Sequence, residues 1–317
     1  MTTLVTGAGL IGTAFAREAL ARGEQVVFVD PEPRADFLKT KLGNGGATLV
    51  RADIRDLPAL VAAMRAHGVD TVVHTAGLIG GRVQQSLGLA FDINLGGVRN
   101  VAEAVRLGGV RRLVHVSTFG VYDSRRMPGG AIDEDFPRGA VRGYGNYKAA
   151  QELILEAYAA EHGFELIMLR PANVFGLGHF WSGSGGGAKM QELVRAGIEG
   201  RAARIPATET VANEYVYAKD VGRAVDLAAT VPMPPTNVFN IGNGVVTPFD
   251  ELLDTLRALL PKLTVEVTPG EARKAKTFPL DLSRAKQHLG WEPRFSLRAA
   301  FEDYIADLRR SGTGQRG

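Results

Sequence analysis

Leu4-Val5-Thr6-Gly7-Ala8-Gly9-Leu10-Ile11-Gly12 carries an apolar run into a glycine loop and then into a helix. Leu4 and Val5 read as the end of a buried strand. From Ile11 the apolar positions Ile11, Phe15 and Ala19 recur at helical spacing until Gly23 stops the helix. Glycines let the backbone turn sharply and approach a pyrophosphate closely, and a helix N-terminus presents unpaired N–H groups and the positive end of a dipole. Alone, such a pattern is weak evidence. Its context strengthens it, because a second apolar run, Val26 to Val29, ends in Asp30, where a carboxylate meets an adenosine ribose. The stretch predicts a dinucleotide site.

Working outward, short apolar runs alternate with helical patterns through the first half of the chain, which is the signature of a parallel sheet wrapped by helices. Strands are expected at Thr3 to Val5, Gln25 to Val29, Thr48 to Val50, Thr71 to His74, Arg112 to Val116 and Glu165 to Leu169. Helices are expected over Leu57 to His67, Phe91 to Leu107 and Tyr144 to Glu161, with Gly68, Gly108 and Gly163 as C-terminal caps. Beyond Arg170 the alternation fails. His179 to Gly187 reads as a glycine- and serine-rich loop, either a plain surface loop or a mobile segment over a substrate, followed by a helix over Lys189 to Gly197. Val238 to Ile241 reads as a strand returning to the sheet. Phe249 to Leu260, Leu263 to Val267, Ser283 to Leu289 and Leu297 to Arg310 then read as a small C-terminal α/β cap, and Ser311 to Gly317 as a disordered tail.

Composition narrows the possibilities. The 317 residues suffice for one large α/β domain or a domain with a smaller appendage, and 45% apolar with 22% charged residues is ordinary for a globular protein. A net charge of +3 without a lysine or arginine run gives no reason to expect a nucleic-acid partner. No apolar stretch approaches the ~18 residues of a membrane span. The N-terminus enters a strand at once, without a signal-like segment, and there are no cysteines, which excludes disulfides and thiolate sites and fits a cytoplasmic protein. The six histidines are scattered, with no pair at helical metal-ligand spacing, so no metal is expected.

Tyr144 and Lys148 stand four residues apart, on one helix face. A free tyrosine, with a pKa near ~10, is a poor base at neutral pH, but a nearby ammonium favours the phenolate. The phenol can then take a proton from an alcohol whose carbon gives up hydride. By itself the pair reads, by default, as solvated helix residues. Upstream, however, Ser117 and Thr118 sit at the carboxyl end of a buried strand, the edge at which open α/β sheets bind ligands. Either hydroxyl could orient a substrate oxygen, or simply satisfy local backbone groups. His115, just before them, reads as a packing residue.

These motifs together resemble an extended short-chain dehydrogenase/reductase of the NAD-dependent epimerase/dehydratase family, over almost the whole chain. The resemblance implies a Rossmann-type doubly wound parallel sheet of about seven strands with a smaller C-terminal α/β substrate-binding cap. It implies an NAD-binding domain over residues 1–170 with a return strand near 236–242, and a substrate-binding region over 171–235 and 243–310. The cofactor site would comprise Gly7, Gly9, Leu10, Ile11, Gly12 and Asp30, with Asp53 and Ile54 at the adenine. Thr75, Ala76 and Gly77 would pass the cofactor beside Asn94, and Tyr144, Lys148, Pro171, Asn173 and Val174 would complete it. Thr118, Tyr144 and Lys148, with Ser117, correspond to the family's catalytic residues, and Leu78, Thr118, Asn173 and His179 to its substrate contacts. Asp30 favours NAD over NADP, because a carboxylate repels an added phosphate.

The departures from the family pattern are informative. The glycine loop is one residue short between Gly7 and Gly9. Phe119 and Gly120 stand where dehydratases carry an acidic pair, which argues against sugar dehydration. Asn213 and Thr268 stand where members that take nucleotide sugars often carry arginines, although Arg273 or Lys274 could compensate. The resemblance therefore implies an oxidoreductase acting on a hydroxyl of a sugar, sugar acid or similar polar compound, with a nucleotide-sugar epimerase as the alternative. A redox sensor without turnover would have no use for Thr118, Tyr144 and Lys148. A homodimer is expected through the helices Phe91 to Leu107 and Tyr144 to Glu161.

Overall fold

The structure is a computed structural model and describes residues 1–43, 46–126, 128–139, 143–178, 185–270 and 277–311. The chain opens with β1 (Thr2–Thr6), α1 (Leu10–Ala21), β2 (Gln25–Val29), α2 (Ala35–Leu42), β3 (Ala47–Val50), α3 (Leu57–Ala66) and β4 (Thr71–His74). Two short helices, α4 (Gly81–Gln85) and α5 (Leu87–Ala90), lead through a π-helical turn at Phe91–Gly96 into α6 (Gly97–Gly108). Then come β5 (Arg112–Val116), α7 (Gly143–His162), β6 (Glu165–Pro171) and β7 (Asn173–Phe175). The remainder is α8 (Gly185–Glu199), β8 (Ala202–Pro206), β9 (Asn213–Tyr217), α9 (Ala218–Thr230), β10 (Val238–Ile241), β11 (Val246–Thr247), α10 (Phe249–Leu259), β12 (Thr264–Thr268), α11 (Ser283–Leu289) and α12 (Leu297–Arg310).

Seven parallel strands form the central sheet in the order β10-β6-β5-β4-β1-β2-β3. Chain order reverses between β1 and β4, and that switch point opens the crevice in which such sheets bind ligands. Because both faces are covered, β4 and β5 are buried along their whole length, apolar at their centres and with Thr71, His74, Arg112 and His115 among the buried polar residues. One face packs Val5, Val73, Val114 and Ile167 against Phe15 of α1 and Val221 and Val225 of α9. The opposite face packs Leu4, Val72, Leu113 and Met168 against Leu60 of α3, Val101 of α6 and Leu155 of α7. A separate apolar cluster joins α8, α10 and α12 through Met190, Leu252 and Phe301, beside a sheet of β11-β9-β7 and a two-stranded sheet of β12-β8.

The expected doubly wound sheet is present, and β2, β4, β5, β10, α11 and α12 have the expected limits. Three differences have local physical causes. The helix expected from Phe91 begins as the π-turn, which carries Asn94 inward. The cap expected at Gly108 falls at Gly109, whose φ of 66° is the left-handed residue after α6. Beyond Arg170, α9 returns to the main core: a Cβ at Gly222 would lie 2.6 Å from the Ala14 carbonyl carbon, so only glycine lets α9 approach α1 this closely. The His179–Ser184 part of the glycine-rich loop, Arg273, Lys274 and residues 312–317 of the tail lie outside the described residues. Among the described residues no helix is long and apolar enough to cross a membrane.

Candidate functional site

β1 ends in a turn that only glycines permit. Gly7 has φ of 90°, and a Cβ there would lie 2.9 Å from Thr75 Oγ1, while one at Gly12 would lie 2.3 Å from the Gly7 carbonyl oxygen. Thr75 reciprocates by donating its hydroxyl to the Thr6 carbonyl at 2.7 Å, so the ends of β1 and β4 are fastened at the switch point. Gly9 is different. A Cβ there would meet nothing within 4 Å, so the loop presents bare backbone to open space. Gly9 also caps α1 without any side-chain hydrogen bond, and the first turn, with Leu10 and Ile11, carries no acidic residue. Its free N–H groups are suited to an anion. At the tip of β2, Asp30 accepts from the Ala8 amide at 2.9 Å and from the Glu32 amide at 2.8 Å, bracing the glycine loop.

Around this turn the other expected cofactor residues fall into two groups. Thr75, Ala76 and Gly77 follow β4, and Asn94 is locked to them: its Oδ1 accepts from the Leu78 amide at 2.8 Å and its Nδ2 donates to the Leu78 carbonyl at 3.1 Å. The π-turn makes this reach possible, and it leaves Leu78 half-buried beside the crevice. Asp53 is committed elsewhere, accepting from the Arg55 amide and both ends of its guanidinium, whose bonds hold its carboxyl below the usual range. Ile54 is buried against Gly97, and Asn100 holds that turn by donating to the Arg55 carbonyl at 2.8 Å.

Tyr144 and Lys148 occupy the first two turns of α7, which packs against the short turn at Phe119–Val121 after β5. Lys148 is buried and donates its Nζ to the Val116 carbonyl at 2.8 Å, where β5 ends. Burial pushes its pKa down to about 8, opposed by the charge of Glu152. The half-buried Tyr144 phenol is raised above its ordinary value by desolvation, so the acidified phenol expected from the sequence is not a property of these protein groups by themselves. Thr118 Oγ1 accepts from the Gly120 amide at 3.1 Å and keeps its own proton to donate. Ser117 requires a correction. It is buried, and its only hydroxyl proton goes to Glu152 Oε1 at 2.5 Å, so it anchors α7 and has none left for a substrate oxygen.

Glu152 is the residue that sequence reasoning passed over. Fully buried one turn after Lys148, it takes both Arg170 Nε at 3.0 Å and NH2 at 2.7 Å, with Arg138 NH1 at 3.2 Å and Ser117. Its position on the Tyr144–Lys148 face was the available signal. Arg170 also reaches the Tyr122 hydroxyl at 3.1 Å, which in turn donates to Asn240 Oδ1 at 2.6 Å. After Arg170, Pro171 is buried at the end of β6, Val174 is half-buried, and Asn173 donates its amide to the Glu214 carbonyl at 3.0 Å. Asn213 turns its amide on the Val211 carbonyl, and Thr268 ends β12 beside Pro206. Lys189, also unforeseen, is buried in this region with Nζ on the Glu209 carbonyl at 2.6 Å, over the rings of Tyr215 and Phe249. Burial pushes its pKa down to about 8, and nothing in an amphipathic helix pattern sets it apart from a solvated lysine. His179, expected at the substrate, lies outside the described residues.

Residues 3–242 match the NAD dependent epimerase/dehydratase family. The chain is 32% identical over 307 residues to a UDP-glucose 4-epimerase of Mycolicibacterium smegmatis, covering 94% of this chain and 95% of that one. It is 28% identical over 313 residues to a dTDP-4-dehydro-6-deoxy-D-allose reductase of a Streptomyces species, covering 95% and 94%. Among solved structures it is similar to the UDP-glucose 4-epimerase of Thermus thermophilus in complex with NAD, with a TM-score of 0.85, 27% identity, and 98% and 99% of the two chains covered. NAD is the cofactor these findings support. The site fits it: the bare face of Gly9 and the uncapped first turn of α1 leave a cradle that a side chain would fill.

Proposed function

The chain belongs to the NAD dependent epimerase/dehydratase family, and on that premise we propose that it transfers hydride at a hydroxyl of a sugar or sugar acid, with Tyr144 as general base. The observation that carries the reading is the bond from Lys148 Nζ to the Val116 carbonyl, which fixes the helix bearing Tyr144 and Lys148 at the carboxyl end of β5, two residues before Thr118. NAD, held along Gly7, Gly9 and Gly12, the first turn of α1 and Asp30, would accept hydride from the substrate carbon and, in an epimerase, return it to the opposite face. Thr118 donates its free proton to the reacting oxygen and orients it. Tyr144 takes the hydroxyl proton, and the cationic Lys148, together with a positive charge on the bound cofactor, offsets the burial that otherwise keeps the phenol protonated. Asn94, through Leu78, braces the crevice wall beside them.

For the substrate, the binding region would lie around the α8, α10 and α12 cluster and the β7 and β9 strands, without α9, which packs on the main core. Asn213 and Thr268 supply no guanidinium to a diphosphate, which supports net oxidation of a compound without a nucleotide. A nucleotide-sugar epimerase is the second reading, supported by the names of the relatives and by Lys189, a buried cation in that region. Two copies would pair across α6, with the π-helical turn that leads into it, and α7, where Phe91 of the turn and Leu153 of α7 stand more than half exposed at 56% and 55%. The absence of cysteine supports a cytoplasmic setting.

The experiment is a screen of alcohols, aldoses, uronates and nucleotide sugars for substrate-dependent formation of reduced nicotinamide, with mass analysis of co-purified small molecules. Stoichiometric reduction of added NAD supports the first reading. Interconversion of a nucleotide sugar without added NAD replaces it with the second. Tyr144→Phe should lower turnover by roughly 10²–10⁴-fold while NAD binding is retained; near-normal turnover would remove Tyr144 from the role of base.

A further inference from the structure

Among the described residues six buried side-chain polar atoms lack a protein hydrogen-bond partner, and four of them belong to His74, His115 and Gln151. These atoms are His74 Nε2, both ring nitrogens of His115 and Gln151 Oε1. His74 and His115 stand in register on β4 and β5, fully buried, with their rings stacked at 5.3 Å between centroids. By strand alternation both point to the face that carries Val72 and Leu113, which α6 and α7 cover. Gln151, one turn beyond Lys148 on α7, is fully buried and spends its amide N–H on the Asn94 carbonyl at 2.7 Å. Lys148 itself bonds the carbonyl of Val116, the neighbour of His115, and its charge reaches both imidazoles and disfavours their protonation.

A buried donor or acceptor left dry is costly, and native interiors pair such groups with protein or with ordered water. Several unpaired atoms beneath one buried ammonium therefore form a polar patch in an interior that could have been apolar. An ammonium has three protons to donate, and the Val116 carbonyl takes one. Imidazole lone pairs and an amide oxygen can accept the others, directly or through water, without adding charge.

We propose that His74, His115 and Gln151 form a polar floor, bridged by internal water, that solvates the Lys148 ammonium, and that His115 is a positioning residue for that lysine. The significance of the floor for catalysis rests on the reading of Lys148 as the partner of Tyr144. The titratable groups that interact electrostatically with Lys148 are Glu152 from its own helix, His74 from β4 and His115 from β5, with Tyr144 one turn before it on α7. Both imidazoles are held neutral by burial and by the lysine, so the floor acts through dipoles. Replacing a dipole with a hydrocarbon disfavours the charged lysine, and Lys148 then loses its proton at lower pH.

The test is a direct NMR titration of the Lys148 side chain in the full-length protein, with thermal melting alongside. In His115→Phe, Lys148 should titrate about one pH unit lower and the alkaline limb of turnover should move the same way, with cooperative melting showing that the variant is folded. His115→Asn, which returns a donor and an acceptor, should restore the titration. An unchanged Lys148 titration in folded His115→Phe overturns the proposal. If His115→Phe does not fold, Gln151→Leu carries the test: a lowered titration supports the floor and an unchanged one overturns it. The titration reads Lys148 itself, so loss of Tyr144 from the role of base would leave this result interpretable.

Discussion

Lys148 and Glu152 stand one turn apart on α7, both buried, in opposite states of hydrogen bonding. Glu152 receives four donor groups from three residues, just after β5, on β6 and in the segment before α7, and each of its oxygens is occupied. The ground around Lys148 is under-filled: one carbonyl takes the ammonium, and the neighbouring imidazoles and amide have unpaired atoms. A fully satisfied polar network holds elements in place. An under-satisfied one reduces stability and persists where it serves a site. The catalytic helix thus combines an anchor with a tunable neighbourhood.

The largest effect is expected from removing the anchor. Glu152→Ala leaves Arg170 buried without its carboxylate, and breaking a buried ion pair from one side typically costs roughly 3–5 kcal/mol. Denaturant unfolding should show a loss of that size, with Glu152→Gln between the two because the amide can still accept from Arg170 or Ser117. A loss below about 1 kcal/mol would mean that the cluster behaves like a surface pair, and the contrast between the two sites would fail.

A smaller effect separates the two sites by pH. Burial holds the His74 pKa down to about 3 and that of His115 well below its ordinary value, while in the unfolded chain both return toward 6.5. Their folded-state values are depressed, so the unfolded chain binds more protons in acid. The stability they permit is complete above pH 6.5 and is lost as pH falls toward 3. His115→Phe removes one such proton, so between pH 6 and 4 its stability should fall less steeply than wild type, by up to about 1.4 kcal/mol per pH unit. Parallel curves from urea unfolding at several pH values would show that His115 is not held neutral.

How much of this was legible in the sequence follows from range. The turn from Thr6 to Gly12, Asp30 and the Tyr144–Lys148 spacing are local patterns, and the strand–turn–helix and the helix that carry them are present. The bond between Ser117 and Glu152 spans 35 residues and the His74–His115 pair 41, and no periodicity announces a partner on another strand. Ser117 looked like a substrate contact because a hydroxyl at a strand end has no visible partner in one dimension. The π-turn at Phe91–Gly96 was hidden because its pattern is that of an ordinary helix. The return of α9 to α1 was hidden for a different reason: it depends on Gly222, which reads as a helix weakener until the facing backbone of Ala14 is known.

The smallest expected effect is the sharpest comparison, because it deletes one polar group from each site on or beside the same helix. Ser117→Ala removes a donor at 2.5 Å from a buried carboxylate and leaves that oxygen short of a proton, which should cost about 1–2 kcal/mol. Gln151→Leu also removes one hydrogen bond, to the Asn94 carbonyl, but its oxygen has no protein partner that the substitution would strand. Its unfolding free energy should therefore fall by less than that of Ser117→Ala, by about 0.5–1 kcal/mol. Equal losses in the two variants would mean that Gln151 Oε1 is as well satisfied as Glu152, and that the ground beneath Lys148 is a second anchor.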